Sequence, residues 1–140
     1  MAFNNDEHLC SAFLELKARF GANAVVETGT YHGVTTSWLA RNFDQVYTTE
    51  IDDRYYQIAA NKFKEEGLNN IVQYKESSPK ALPKIIDALN GRPAIFFLDA
   101  HWYANPLIDE LKAFAAKGYR PACIVIHDMY NPTDPTMGYD

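Results

Sequence analysis

Apolar and polar positions along this chain follow two rhythms. Short apolar runs rich in β-branched and aromatic residues, closed by glycine, proline or acids, predict buried strands. Longer segments with an apolar residue every three or four positions predict helices. Residues 6–20 carry Leu9, Phe13, Leu16 and Phe20 at helical spacing, and Gly21 stands where such a helix would end. Residues 24–27 form an apolar run ending in Glu27, the first strand. Gly29 and Gly33 then make a tight turn into a helical pattern that runs to about Asn42. The same reading predicts strands over 45–50, 70–74, 94–99 and 122–127. It predicts helices over 53–66, from Pro79 to about Leu89, and over 106–117. Strands that alternate with helices imply a parallel sheet covered on both faces. Right-handed crossovers favour a doubly wound α/β fold with strand order 3-2-1-4-5.

Composition narrows the classes of function. The chain of 140 residues fits one domain, 1–140, and its 47% hydrophobic and 22% charged content is that of an ordinary globular protein. A net charge of -5 with no basic stripe argues against nucleic acid as the partner. No apolar run approaches the roughly 20 residues that cross a bilayer, so no membrane partner is expected. The N-terminus, Met-Ala-Phe-Asn-Asn-Asp-Glu, is polar and acidic, which points to the cytoplasm. Cys10 and Cys123 are expected as core thiols of a reducing compartment rather than a disulfide.

The chemistry-bearing residues gather where the strands end. Strand 1 ends at Glu27, strand 2 at Glu50, strand 4 at Asp99 and strand 5 beside Asp128, while Glu76 lies just past strand 3. A parallel sheet puts all these ends on one edge, where open α/β folds bind ligands. Carboxylates there would repel a pyrophosphate and welcome ribose hydroxyls, an amine and a cationic centre, the features of S-adenosylmethionine. Glu50, about twenty residues past the turn, is the expected ribose acceptor. Ile51 would pack on the adenine, and Glu76 or Ser77 would bond its edge. Glu27 and the turn (Thr28, Gly29, Thr30, Tyr31, Gly33 and Thr35) would hold the methionine end. A nicotinamide dinucleotide is the weaker alternative, because the turn reads Gly-x-x-x-Gly rather than Gly-x-Gly-x-x-Gly.

Four stretches carry a family resemblance. The run Glu27-Thr-Gly-Thr-Tyr-His-Gly33, the step Glu50-Ile51-Asp52, Lys75-Glu76-Ser77, and Leu98-Asp99-Ala100-His101 resemble the successive motifs of class I S-adenosylmethionine-dependent methyltransferases. The likeness is to their small-molecule O-methyltransferase branch, which includes macrocin-type and cephalosporin-hydroxylase-like proteins, and it spans about residues 22–130. It implies a Rossmann-like sheet and methyl transfer to a hydroxyl of a small molecule or sugar. The alternative is a protein that binds S-adenosylmethionine or S-adenosylhomocysteine without methyl transfer, or an enzyme using S-adenosylmethionine otherwise. Tyr31 stands where many members carry glycine.

Asp99, His101, His127 and Asp128 fall at the ends of two neighbouring strands. Such a set suits a divalent cation, or a histidine acting as general base with His101 and His127 as the candidates. The resemblance implies Mg2+ held by Asp99 and Asp128. Trp102, Tyr103 and Tyr130 would wall a substrate pocket. The resembled branch continues beyond strand 5 with a helix and an antiparallel strand pair, whereas residues 129–140 are too short and proline-broken for either. The expected fold therefore lacks that pair. Three explanations stand: a homodimer through the strand 5 edge, a truncated form of a longer protein, or a reduced fold.

Overall fold

A computed structural model describes residues 2–100 and 104–127. A short turn, Ala2–Asn5, precedes α1 (Glu7–Phe20), β1 (Ala24–Thr28), α2 (Val34–Asn42), β2 (Gln45–Thr49) and α3 (Asp53–Glu65). Then follow β3 (Ile71–Tyr74), α4 (Ser78–Leu89), β4 (Ala94–Leu98), α5 (Ala104–Lys117) and β5 (Cys123–Ile126). The sheet has the order β3-β2-β1-β4-β5 with every pairing parallel, as the alternation of elements predicts. Local chemistry sets the element starts. Asp6 caps α1 by accepting the Leu9 N–H at 3.0 Å, and Asp52 caps α3 through Arg54 and Tyr55 at 2.8 and 3.2 Å.

Side chains of a strand alternate between faces, and that alternation divides the core in two. Ala24 and Val26 of β1 join Tyr47, Phe96 and the inner faces of α4 and α5. Val25 joins Val46, Ile95, Phe97 and the inner faces of α1 and α2. Continued two residues further, the same alternation sends Glu27 toward α2 and Thr28 toward α5. The polar ends of β1 therefore meet different partners on opposite faces.

No element is predicted over residues 2–5, yet the chain turns there with Phe3, Asn4 and Asn5 all left-handed, at φ 50°, 54° and 72°. Asparagine tolerates that backbone better than most residues. Phe3 is held by burial: its ring stacks on Phe13 at 4.9 Å and meets Trp38 and Phe97 edge-on at 5.4 Å. Cys10 and Cys123 are both free and only half-buried, rather than sealed in the core. No described helix is long and apolar enough to cross a membrane.

Candidate active site

The carboxyl edge of the sheet opens into a cavity of about 910 Å³. Glu27, Glu50, Glu76 and Asp99 all line it, so four of the five acids expected on this edge converge on one space. His101 and Asp128, with Trp102, Tyr103 and Tyr130, lie outside the described residues.

Two glycines shape the turn that floors the cavity, for different reasons. A Cβ on Gly29, at φ 89°, would lie 3.0 Å from the Ala100 Cα, so the turn after β1 presses directly on the chain leaving β4. A Cβ on Gly33, at φ 74°, would lie 2.6 Å from Phe63 Cε1 and 3.1 Å from the Ala59 Cβ. Gly33 therefore admits α3 against the start of α2, and it does not line the cavity. Thr28, fully buried, is likewise absent from the lining. Its Oγ1 instead accepts the N–H groups of Asp99 at 3.1 Å and Ala100 at 3.3 Å.

Glu50 is held for work as an acceptor. The Tyr31 N–H donates to its Oε2 and the Asp52 N–H to its Oε1, both at 2.9 Å. Each oxygen keeps a further lone pair for an incoming hydroxyl. Ile51 beside it is 71% exposed and lines the cavity. Tyr31 takes a left-handed backbone, φ 49°, which explains why a glycine suits this position. Its ring stacks on His32 at 4.0 Å and meets Tyr55 at 4.5 Å, an aromatic shelf at the mouth that the sequence reading missed. Across the cavity Glu76 is ion-paired with Lys84 at 2.6 Å, and Ser77 stands at the start of α4. Thr30 and Thr35 also line the space, Thr35 accepting the Phe3 N–H at 3.0 Å.

The acids do not form a row of bare charges. Glu27 is 1% exposed, and its Oε2 contacts the hydroxyls of Thr36 and Thr48. Burial, reinforced by Asp99 and Glu50 and only partly opposed by the two threonines, pushes its pKa up to about 8. Thr30 Oγ1 contacts Thr48 Oγ1 at 2.8 Å and donates to the Thr49 carbonyl at 3.0 Å. Thr48 in turn donates to the Glu27 carboxyl at 2.8 Å. Burial thus favours the neutral form of Glu27 near pH 7, so the edge is not uniformly anionic.

At the far end of the cavity, His127 Nδ1 lies 2.8 Å from Asp99 Oδ1. An ionised carboxylate only accepts, so Nδ1 carries the hydrogen and the basic lone pair falls on Nε2. Magnesium requires about six oxygen ligands. Among the described residues no group of three or more His, Cys, Asp or Glu side chains could hold a metal, and Asp99 Oδ1 is already engaged by the imidazole. Asp128, the other acid expected to hold magnesium, lies outside the described residues, and the described ones show no magnesium site. A further acid that the sequence reading passed over, Glu110, is 1% exposed behind the cavity wall. Its signal is present in the sequence: it stands on the apolar stripe of α5 with Leu107, Leu111 and Phe114.

Comparison with known proteins gives consistent findings. A family model described as a methyltransferase domain matches residues 26–129. No curated protein matches the chain. Among solved structures, the chain resembles the O-methyltransferase TomG from Streptomyces achromogenes, involved in tomaymycin synthesis and solved with S-adenosylmethionine. The identity is 25%, the TM-score 0.65, and the match covers 89% of this chain and 59% of that one. An O-methyltransferase from Bacillus cereus in complex with S-adenosylhomocysteine matches at 25% identity and TM-score 0.58, over 79% of this chain and 50% of that one. An rRNA methylase from Streptococcus thermophilus shares the fold at 18% identity and TM-score 0.58, over 84% of this chain and 70% of that one. The chain spans between half and six-tenths of the two O-methyltransferases.

Proposed function

The chain belongs to the methyltransferase-domain family, and from that premise we propose that it binds S-adenosylmethionine in the cavity and transfers the methyl group to a hydroxyl of a small molecule or sugar. The observation that carries this reading is the Glu50 carboxylate, oriented by two backbone N–H groups with an acceptor lone pair left on each oxygen. A ribose diol matches that spacing and polarity. Ile51 then covers one face of the adenine, and Ser77 with Glu76 meets its edge. The turn at Gly29 and Thr30 receives the methionine end, with Glu27 beneath it. A cationic ligand placed there favours the ionised form of Glu27, so binding would draw its proton away.

The acceptor hydroxyl would lie against His127. With Nδ1 bonded to Asp99, Nε2 accepts the hydroxyl proton as the oxygen attacks the methyl carbon, and Asp99 stabilises the imidazolium that forms. Methyl transfer is an in-line displacement, so the remaining contribution is alignment of donor and acceptor in a shared cavity. No step is routed through a metal. The likeness to two O-methyltransferases at 25% identity supports oxygen as the acceptor atom.

Incubation with S-adenosylmethionine and a panel of hydroxylated small molecules and sugars tests this, with S-adenosylhomocysteine release as the readout. Release that depends on one class of hydroxylated acceptor supports the reading. Tight cofactor binding with no transfer to any acceptor would favour a binding protein instead.

A further inference from the structure

All 13 lysines and arginines of the chain fall among the described residues, and none of them lines the cavity. Its walls carry Glu50, Asp52, Glu76 and Asp99 instead. Lys84 offsets Glu76 from outside the lining, at 2.6 Å. Glu50 and Asp52 are met by backbone N–H groups, and Asp99 by the His127 ring. The field inside the cavity is therefore negative. S-adenosylmethionine suits it, since an ammonium, a sulfonium and one carboxylate leave a net positive charge.

The sheet order divides this space. Glu50, Glu76 and Ser77 follow β2 and β3 at one end, while Asp99 and His127 follow β4 and β5 at the other. The turn at residues 3–5 closes on the second end. The Phe3 ring meets Phe97 at 5.4 Å, and Phe97 meets the His127 ring at 5.8 Å. Three left-handed residues in succession are costly, and they persist because Phe3 is buried and its N–H is bonded to Thr35. Asn4 and Asn5 stand exposed on this anchor and line the cavity. No hydrogen bond within the described residues engages either carboxamide. Each offers two donors and an acceptor without a charge.

We propose that the Asn4–Asn5 turn and the negative field together select a hydroxylated acceptor without negative charge, neutral or amine-bearing, and reject carboxylated and phosphorylated ones. This rests on the functional reading above, in which the reacting hydroxyl lies against His127. Polar groups elsewhere on the acceptor then meet the two carboxamides. An anionic group there finds no cation and faces the Asp99 carboxylate. At an effective dielectric constant of about 20, one such repulsion across about 8 Å lowers kcat/KM by about 30-fold.

The test uses the full chain and two acceptor sets whose members differ chiefly in charge. One is 4-ethylphenol, tyramine and 4-hydroxyphenylacetate; the other is glucose, glucosamine and glucose 6-phosphate. S-adenosylhomocysteine release is measured, and each compound is also titrated into the S-adenosylhomocysteine-loaded protein while the Asn4 and Asn5 side-chain amides are followed by NMR. In a set that turns over, the anionic member should fall at least about tenfold below the neutral one in kcat/KM. The double variant Asn4→Gly, Asn5→Gly keeps the left-handed backbone accessible and deletes both carboxamides. It should raise the acceptor KM about tenfold, the scale of two neutral hydrogen bonds, with S-adenosylhomocysteine affinity within about threefold. Asn4→Lys or Asn5→Lys puts a cation into the wall and should narrow or reverse the discrimination against the anion. A merely structural turn would move the melting temperature and leave the order of acceptors unchanged. An anionic member used as well as its neutral counterpart, or an acceptor KM unmoved in the double variant, overturns the proposal. Without turnover the titrations decide: neutral and amine-bearing members should shift the two side-chain amides. Equal shifts from the anions, or none from any member, overturn it. A wild type that binds no S-adenosylhomocysteine overturns instead the functional reading on which the proposal rests.

Discussion

Replacing Glu27 with glutamine removes one titrating group from the centre of the site and leaves its volume in place. In the folded chain Glu27 is 1% exposed, and burial raises its pKa from the ordinary 4.5 to about 8. Between those values the folded protein keeps a proton that the unfolded chain has lost. Stability must then fall as the pH rises, because the native state binds the greater number of protons. Its contribution is fully present below pH 4.5, declines through the interval and is gone above about 8. At about 1.4 kcal/mol per pKa unit, the whole span corresponds to about 5 kcal/mol. Urea unfolding of wild type and Glu27→Gln at pH 5, 6, 7, 8 and 9 measures it. Glu110, whose pKa burial also raises, contributes in the same direction to both proteins and cancels in the difference. The wild type should lose about 1 kcal/mol per pH unit relative to the variant between roughly pH 5.5 and 8. Parallel curves, or a wild type that gains on the variant with rising pH, would refute the raised pKa of Glu27.

Other substitutions probe other parts of the account. Gly33→Ala puts a methyl group 2.6 Å from the Phe63 ring at φ 74°, so it should destabilise the fold by about 2–3 kcal/mol in denaturant titration. Binding by the surviving folded protein should be weakened little, since Gly33 does not line the cavity. His127→Gln should lower kcat by about 10²–10⁴, the range of a lost general base, while cofactor affinity measured by calorimetry stays within about threefold.

Where the sequence was informative, its signals were local and periodic. Apolar runs closed by acids or glycines located the strands to within a residue, and the alternation of elements led to the β3-β2-β1-β4-β5 order. The gathering of Glu27, Glu50, Glu76 and Asp99 followed from topology alone, since a parallel sheet sends all strand ends one way. Charge state was not legible in the same manner. That the Glu27 pKa is raised depends on its burial beneath α2 and beside β2, which the two threonines only partly oppose, a three-dimensional fact. Which side chains press on Gly33, Phe63 and Ala59 of α3, needed the three-dimensional structure. Glu110 could have been found, because an acid on an apolar helical stripe must have a buried partner. The turn at residues 2–5 could not, for nothing local marks three left-handed residues held by one aromatic anchor.

Titration calorimetry of S-adenosylmethionine and S-adenosylhomocysteine into the wild type and Glu50→Ala bears most directly on the whole scheme. Both ligands should bind the wild type. The variant should bind at least about a hundredfold more weakly, the scale of two hydrogen bonds to a charged acceptor, with an unchanged melting temperature. A wild type indifferent to both ligands, or a variant that binds them as tightly, would contradict it.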